Sequence, residues 1–179
     1  MSTPGVTLGR GSYVVGGVVT NLFGVAVNVG QYCSISQQLN ILGYDHACMF
    51  NRDIVSTWPF DCWWGLPSFP NVLGVGGVGD KGRRSIQVGN DVWIAQNVFL
   101  RPGVMIGDGA IIGGCAVIMK DVPPYAIVSG NPQTIIRYRF TKQQIEKLLK
   151  IKWWDWSEEK IKENVPLFGN IEEFIKKFS

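Results

Sequence analysis

From Val88 onward the chain repeats itself every six residues. VGNDVW, IAQNVF, LRPGVM, IGDGAI, IGGCAV and IMKDVP each open on an aliphatic residue: Val88, Ile94, Leu100, Ile106, Ile112 and Ile118. The fifth place holds Val92, Val98, Val104, Ala110, Ala116 and Val122. A helix would drift out of a strict six-residue frame, and a plain half-buried strand would alternate every second residue. The pattern predicts a short strand and a tight turn per hexad, three hexads closing one triangular turn of a parallel β-solenoid. The first-place aliphatic then points inward and stacks on its equivalent about eighteen residues later. The slender fifth place fills the corner, and second-place Gly89, Ala95, Gly107 and Gly113 permit close approach of backbone to backbone.

The same frame returns upstream as FGVAVN, VGQYCS, ISQQLN and ILGYDH, and more loosely around Leu8 and Val14, so the solenoid is expected from about residue 6 to 129. It is interrupted once, at residues 46 to 85, immediately after Tyr44-Asp45-His46. An insertion of that length inside a compact fold is expected to be functional or disordered. Trp58, Phe60, Trp63, Trp64 and Phe69 argue against disorder. Past Gly130-Asn131-Pro132 the pattern changes to helix formers. Thr141 with Gln144 reads as a capping box, Asn170 with Glu173 as a second helix start, and Ser157 as the start of a short helix that stops before Pro166. The expected division is therefore a coil with its insertion over residues 1–132 and a helical cap over 133–179, covering an open solenoid end.

Composition narrows the class. The chain of 179 residues is 46% hydrophobic, enough for a buried core. Its net charge of +3 is too mild to argue for nucleic acid, though it suits a small phosphate-bearing ligand. No run approaches eighteen apolar residues, so no membrane span is expected. Cys33, Cys48, Cys62 and Cys115 show no C-x-x-C spacing, and no leader pattern stands at Met1, which points to reduced thiols and the cytoplasm.

Hexads are a specific sign of fold and a weak sign of function. Together with Asn90-Asp91-Val92-Trp93-Ile94, Ser56-Thr57-Trp58-Pro59-Phe60, Gly130-Asn131-Pro132 followed by Ile136-Arg137, and Trp153-Trp154-Asp155-Trp156, the chain resembles the hexapeptide-repeat xenobiotic acetyltransferases. The resemblance implies a left-handed parallel β-helix, acetyl-CoA as cosubstrate, a homotrimer with sites between subunits, and a small-molecule acceptor such as an antibiotic. Left-handedness comes from the resemblance alone, since parallel crossovers are otherwise right-handed.

In the family the histidine opening the insertion is the general base, and His46, the sole histidine, matches it. Attack of a hydroxyl on a thioester needs a base titrating near neutrality, which an imidazole supplies. Many relatives carry Asn before this histidine and Arg after it, whereas Asp45 and Ala47 flank it here. Asp45 is a candidate to touch the acceptor or orient the base, although neighbours in an extended segment point apart. Trp93, at an outward sixth place, is implied to line the active-site groove. Ala95, Gly113 and Gly114 would let a pantetheine arm lie against the coil, Lys120 and Arg137 are candidates for CoA phosphates, and Pro132 falls near the adenine end by resemblance. Trp58 and Phe60 are candidate acceptor contacts. No serine or cysteine stands in a nucleophile elbow or beside a second histidine, so direct transfer is expected over an acyl-enzyme. A sugar O- or N-acetyltransferase of polysaccharide synthesis and a noncatalytic scaffold remain as alternatives. A zinc carbonic anhydrase on the same repeat would need three imidazoles, and this chain has one; no metal is expected.

Overall fold

The computed structural model describes residues 5–17, 19–21, 25–42 and 85–179. Short strands follow one another at nearly constant spacing. They are β1 (Val6–Leu8), β2 (Tyr13–Val14), β3 (Val19–Thr20), β4 (Val27–Val29), β5 (Ser34–Ile35), β6 (Leu39–Ile41) and β7 (Ile86–Val88), continued by β8 (Trp93–Ile94), β9 (Phe99–Leu100), β10 (Met105–Ile106), β11 (Ile111–Ile112), β12 (Val117–Ile118), β13 (Ala126–Ser129) and β14 (Thr134–Tyr138). Three sheets result, in the orders β1-β4-β7-β10 (face A), β14-β13-β11-β8-β5-β2 (face B) and β12-β9-β6-β3 (face C). The chain visits A, B and C in turn, and pairing is parallel everywhere except between β13 and β14. This is the three-sided coil that the hexads predict.

Register confirms the turn length. Gln87 pairs with Met105, Trp93 with Ile111 and Phe99 with Val117, each partner 18 residues on. Across the interruption, Val27 pairs with Ile86 and Ser34 with Trp93, an offset of 59. That exceeds 18 by 41, and the described strands on either side keep their register without slip. The coil therefore resumes on the same stack it left.

The inward stacks carry the core. First-place Val88, Ile94, Leu100, Ile106, Ile112 and Ile118 and fifth-place Val92, Val98, Val104, Ala110, Ala116 and Val122 are all buried in one cluster. Each valine, leucine or isoleucine among them contributes about 1.5–3 kcal/mol by leaving water. Leu8, the first-coil member of the same frame, lies on the edge strand of face A and stays exposed. A Cβ on Gly107 would lie 2.5 Å from the Pro124 nitrogen, which is why the second place stays small there.

One regularity was not anticipated. The fourth place of successive hexads turns the chain in the left-handed region: φ is 55° at Asp91, 57° at Asn97, 85° at Gly103, 69° at Gly109 and 59° at Cys115. Asn, Asp and Gly, which tolerate this turn at least cost, hold four of the seven left-handed fourth places from Tyr32 onward among the described residues, and Tyr32 (φ 56°), Gln38 (φ 60°) and Cys115 hold the other three.

The tail departs from a simple end cap. β14 folds back antiparallel on β13 and closes the last rung of face B. The helices α1 (Lys142–Ile151), α2 (Glu158–Asn164) and α3 (Ile171–Phe178) start at Thr141, Ser157 and Asn170, whose side chains accept from helix N–H groups as expected. They pack along the edge where face A turns into face B, from the last coil back to the first. Arg10, between β1 and β2, donates to the carbonyls of Trp154 (2.7 Å) and Trp156 (2.8 Å). Tyr32, at the next A-to-B turn, meets Trp153 with ring centroids 5.1 Å apart. The helices thus cover a flank of the coil. Sequence could not show this, because the contacts join residues more than a hundred positions apart.

Candidate active site

His46, Asp45, Trp58 and Phe60 lie outside the described residues, as does the insertion from 46 to 84. The remaining candidates fall into two neighbouring groups on the coil.

The first group is a row across face B. Register aligns Ser34, Trp93, Ile111, Ile127 and Arg137 on adjacent strands. Their chain neighbours Ile35, Ile94, Ile112 and Val128 point into the core, so the row itself faces outward. Trp93 is half exposed. Arg137 is exposed on the edge strand, its Nη1 donating to the Tyr138 carbonyl (3.0 Å). At about 4.8 Å per strand, three rungs separate Trp93 from Arg137 by roughly 14 Å.

The second group lies around the B-to-C corner. Ala95 follows β8, and Gly113 and Gly114 occupy the same turn one coil later, with Ala95 N–H bonded to the Ile112 carbonyl (2.9 Å). A Cβ on Gly114 would meet nothing closer than 3.5 Å, so this corner presents bare backbone to the outside. Gly113 is different, since a Cβ there would lie 2.6 Å from Ser129 Oγ. Its smallness serves coil stacking as well as any ligand. Lys120 and Pro132 sit beyond, where the coil ends. They are held near each other by Gln133, whose Oε1 accepts from the backbone N–H groups of Met119 (2.5 Å) and Lys120 (2.8 Å) while its Nε2 donates to the Lys120 carbonyl (3.0 Å). Gln133 takes the part of a missing next coil for face C. It was not singled out from the sequence, where a glutamine after a turn proline carries no distinctive signal.

Arg139 is the other residue that sequence reasoning passed over. Its Nη1 donates to Asp91 Oδ2 (3.0 Å) and to the Gly109 carbonyl (2.7 Å), and the guanidinium lies over the rings of Tyr125 and Phe140. Asp91 titrates above the ordinary carboxylate value because burial outweighs the help of Arg139. Burial also pushes the Cys33 thiol and the Tyr125 phenol up. Cys115, by contrast, is exposed at the B-to-C corner.

Among the described residues no helix is long and apolar enough to cross a membrane. Residues 85–120 match the family model for bacterial transferase hexapeptide (six repeats). Over 159 residues the chain is 38% identical to a probable macrolide acetyltransferase of Lysinibacillus sphaericus, covering 84% of this chain and 83% of that one. The chain belongs to the hexapeptide-repeat xenobiotic acetyltransferase family.

As a member of that family it is an acetyltransferase. A chloramphenicol acetyltransferase of Agrobacterium fabrum is 40% identical over 146 residues, 80% of this chain and 67% of the relative. The crystal structure of a maltose O-acetyltransferase from Clostridium difficile 630 matches with a TM-score of 0.52 at 20% identity, covering 76% of this chain and 60% of that one, and shares the fold. In this xenobiotic acetyltransferase the row on face B exposes Trp93 and Arg137, and the B-to-C corner at Gly114 is open.

Proposed function

We propose that the chain transfers an acetyl group from acetyl-CoA to a hydroxyl of a small xenobiotic of the antibiotic class, with His46 as general base. The similarity to the macrolide and chloramphenicol acetyltransferases over most of the chain carries this reading. The imidazole takes the hydroxyl proton as the oxygen attacks the thioester carbonyl. The C–S bond then breaks, and the leaving sulfur takes that proton. The products are an acetyl ester and free CoA thiol, and no covalent enzyme intermediate is needed.

In this reading the coil is left-handed, the pantetheine arm lies along Ala95, Gly113 and Gly114, and Trp93 borders the groove. Lys120 and Arg137 meet phosphates, Pro132 lies toward the adenine, and Asp45, Trp58 and Phe60 face the acceptor. A homotrimer places each groove between two prisms. Two observations favour this arrangement. The chain leaves the coil after β6 on face C and returns at β7 on face A, so the insertion departs from the C-to-A corner, one face away from the B-to-C corner. Face B also exposes Trp93 and, on its edge strand, Ile135, Ile136 and Tyr138, apolar surface suited to a second subunit or a ligand.

The test is free-thiol release from acetyl-CoA across a panel of macrolides, chloramphenicol, streptogramins and sugars. A drug is expected to be the best acceptor, and a preference for sugars overturns the acceptor class. His46→Ala should lower turnover by about two to four orders of magnitude with acetyl-CoA affinity nearly unchanged. Near-normal turnover in a folded variant would remove His46 from the chemistry.

A further inference from the structure

The last coil ends its ladder of hydrogen bonds without a successor, and on face C one side chain takes the successor's place. One coil earlier, Arg101 donates its N–H to the Ile118 carbonyl of the coil above (2.9 Å). Met119 is the equivalent residue of the last coil, where β12 is the edge strand of face C. Gln133 Oε1 accepts its N–H instead, together with that of Lys120, and Nε2 donates to the Lys120 carbonyl. In the coil below, Pro102 stands at the place of Lys120 and has no N–H to satisfy, so the second of these bonds has no precedent in the repeat. The Met119 carbonyl in turn accepts from Arg101 Nη1 (3.1 Å). Both peptide groups flanking the Lys120 Cα are thereby held, one by Arg101 and Gln133 and the other by Gln133. The turn that carries Gln133 is itself tied down, since the Val117 N–H donates to the Gly130 carbonyl (3.1 Å).

We propose that Gln133 is a positioning residue for the cosubstrate: by fixing both peptide groups at Lys120, it presents the lysine ammonium group to the phosphates of CoA. This rests on the reading above that Lys120 meets those phosphates. Lys120 is exposed, so water could satisfy its N–H and carbonyl as well, and what the amide adds there is fixed geometry. A lysine is a point charge on a flexible stem, and an exposed contact from it is worth little because ordering the side chain offsets the attraction. Holding its root in place removes part of that cost before the ligand arrives. Gln133 also follows Pro132 directly, so the same clamp sets the spacing between the places assigned to the phosphates and to the adenine.

CoA binding needs no acceptor, so the assay is calorimetric titration of CoA at low and high salt into the parent, Gln133→Met, Lys120→Met and the double variant. Methionine keeps the bulk of either side chain and carries none of its hydrogen bonds. Lys120→Met should weaken CoA about twofold to fivefold at low salt and flatten the salt dependence, because a screened contact between exposed charges is lost. Gln133→Met should do the same although the lysine is intact. The double variant should bind no more weakly than Lys120→Met, since both substitutions act on one contact. Gln133→Asn, one methylene too short to reach both N–H groups, should reproduce the loss and takes over if the methionine variant does not fold. The proposal is overturned by a Gln133 substitution that leaves CoA affinity unchanged, that lowers it equally at both salts, or that adds its full loss to that of Lys120→Met. Each of those outcomes leaves the proposed reaction standing. If Lys120→Met itself changes nothing, the phosphate contact is what fails and the positioning falls with it; if the parent does not bind CoA, the acetyl-CoA reading and the positioning fail together.

Discussion

Replacing Gly109 by alanine tests how the coil corner and the tail are built on one another. Gly109 turns the chain at φ 69°, where a side chain costs roughly 1–2 kcal/mol. The new Cβ would also stand 2.5 Å from Tyr125 Cδ1 and 2.8 Å from Cζ, inside a ring that is 1% exposed. Tyr125 is hemmed in by Phe140 at 5.6 Å and by the Arg139 guanidinium, so it has little room to retreat. Overpacking of this kind costs about 1–3 kcal/mol. The two together predict a loss of about 2–5 kcal/mol, or about 4–20 °C in melting temperature for a chain of this size. Urea and thermal melts of four proteins decide it: the parent, Gly109→Ala, Tyr125→Ala and the double variant. In the Tyr125→Ala background the clash is gone, and Gly109→Ala should cost only its backbone strain, a coupling of about 1–3 kcal/mol. An equal cost in both backgrounds, or a cost below about 0.5 kcal/mol in the parent, would refute the packing argument.

Gly114→Ala should leave stability within about 0.5 kcal/mol, since its Cβ meets nothing closer than 3.5 Å. It should raise KM for acetyl-CoA by about tenfold if the pantetheine arm lies on that corner; an unchanged KM would move the arm elsewhere. Stability should also fall in alkali. Burial holds the Cys33 thiol above its ordinary 9.0 and the Tyr125 phenol above its ordinary 10.0, so the unfolded chain releases these protons first. Their contribution is complete below pH 9 and is lost as pH rises through the folded values. Melting temperatures between pH 8 and 11 should show the decline, and Tyr125→Phe should flatten it above pH 10; an identical slope in that variant contradicts the assignment.

The hexads made the coil legible because their signal is local. An inward aliphatic at every first place, from Val88 to Ile118, states both the strand and the turn length, and the structure repeats both with an offset of 18. Helix starts at Thr141, Ser157 and Asn170 were readable for the same reason, since a cap acts within three residues of itself. Asp91, Asn97, Gly103 and Gly109 at fourth places held left-handed turns in plain view, although Tyr32, Gln38 and Cys115 adopt the same turn and composition alone would not place it there.

What tertiary structure alone decided are the contacts between distant segments. Arg10 reaches Trp154 and Trp156, Gln133 stands in for a coil that does not exist, and Arg139 joins Asp91 to the rings of Tyr125 and Phe140. Gln133 and Arg139 belong to no repeat or motif, and each of these contacts exists only because the fold carries a remote segment to it. The same holds for the candidate site. Trp93 and Arg137 are 44 positions apart in the chain, and strand pairing through Ile111 and Ile127 sets them in one row. Periodicity specifies which way a side chain points, because that follows from backbone geometry within a few residues. Which remote group it meets depends on how the tail folds back over the A-to-B edge, and no spacing within either segment encodes that.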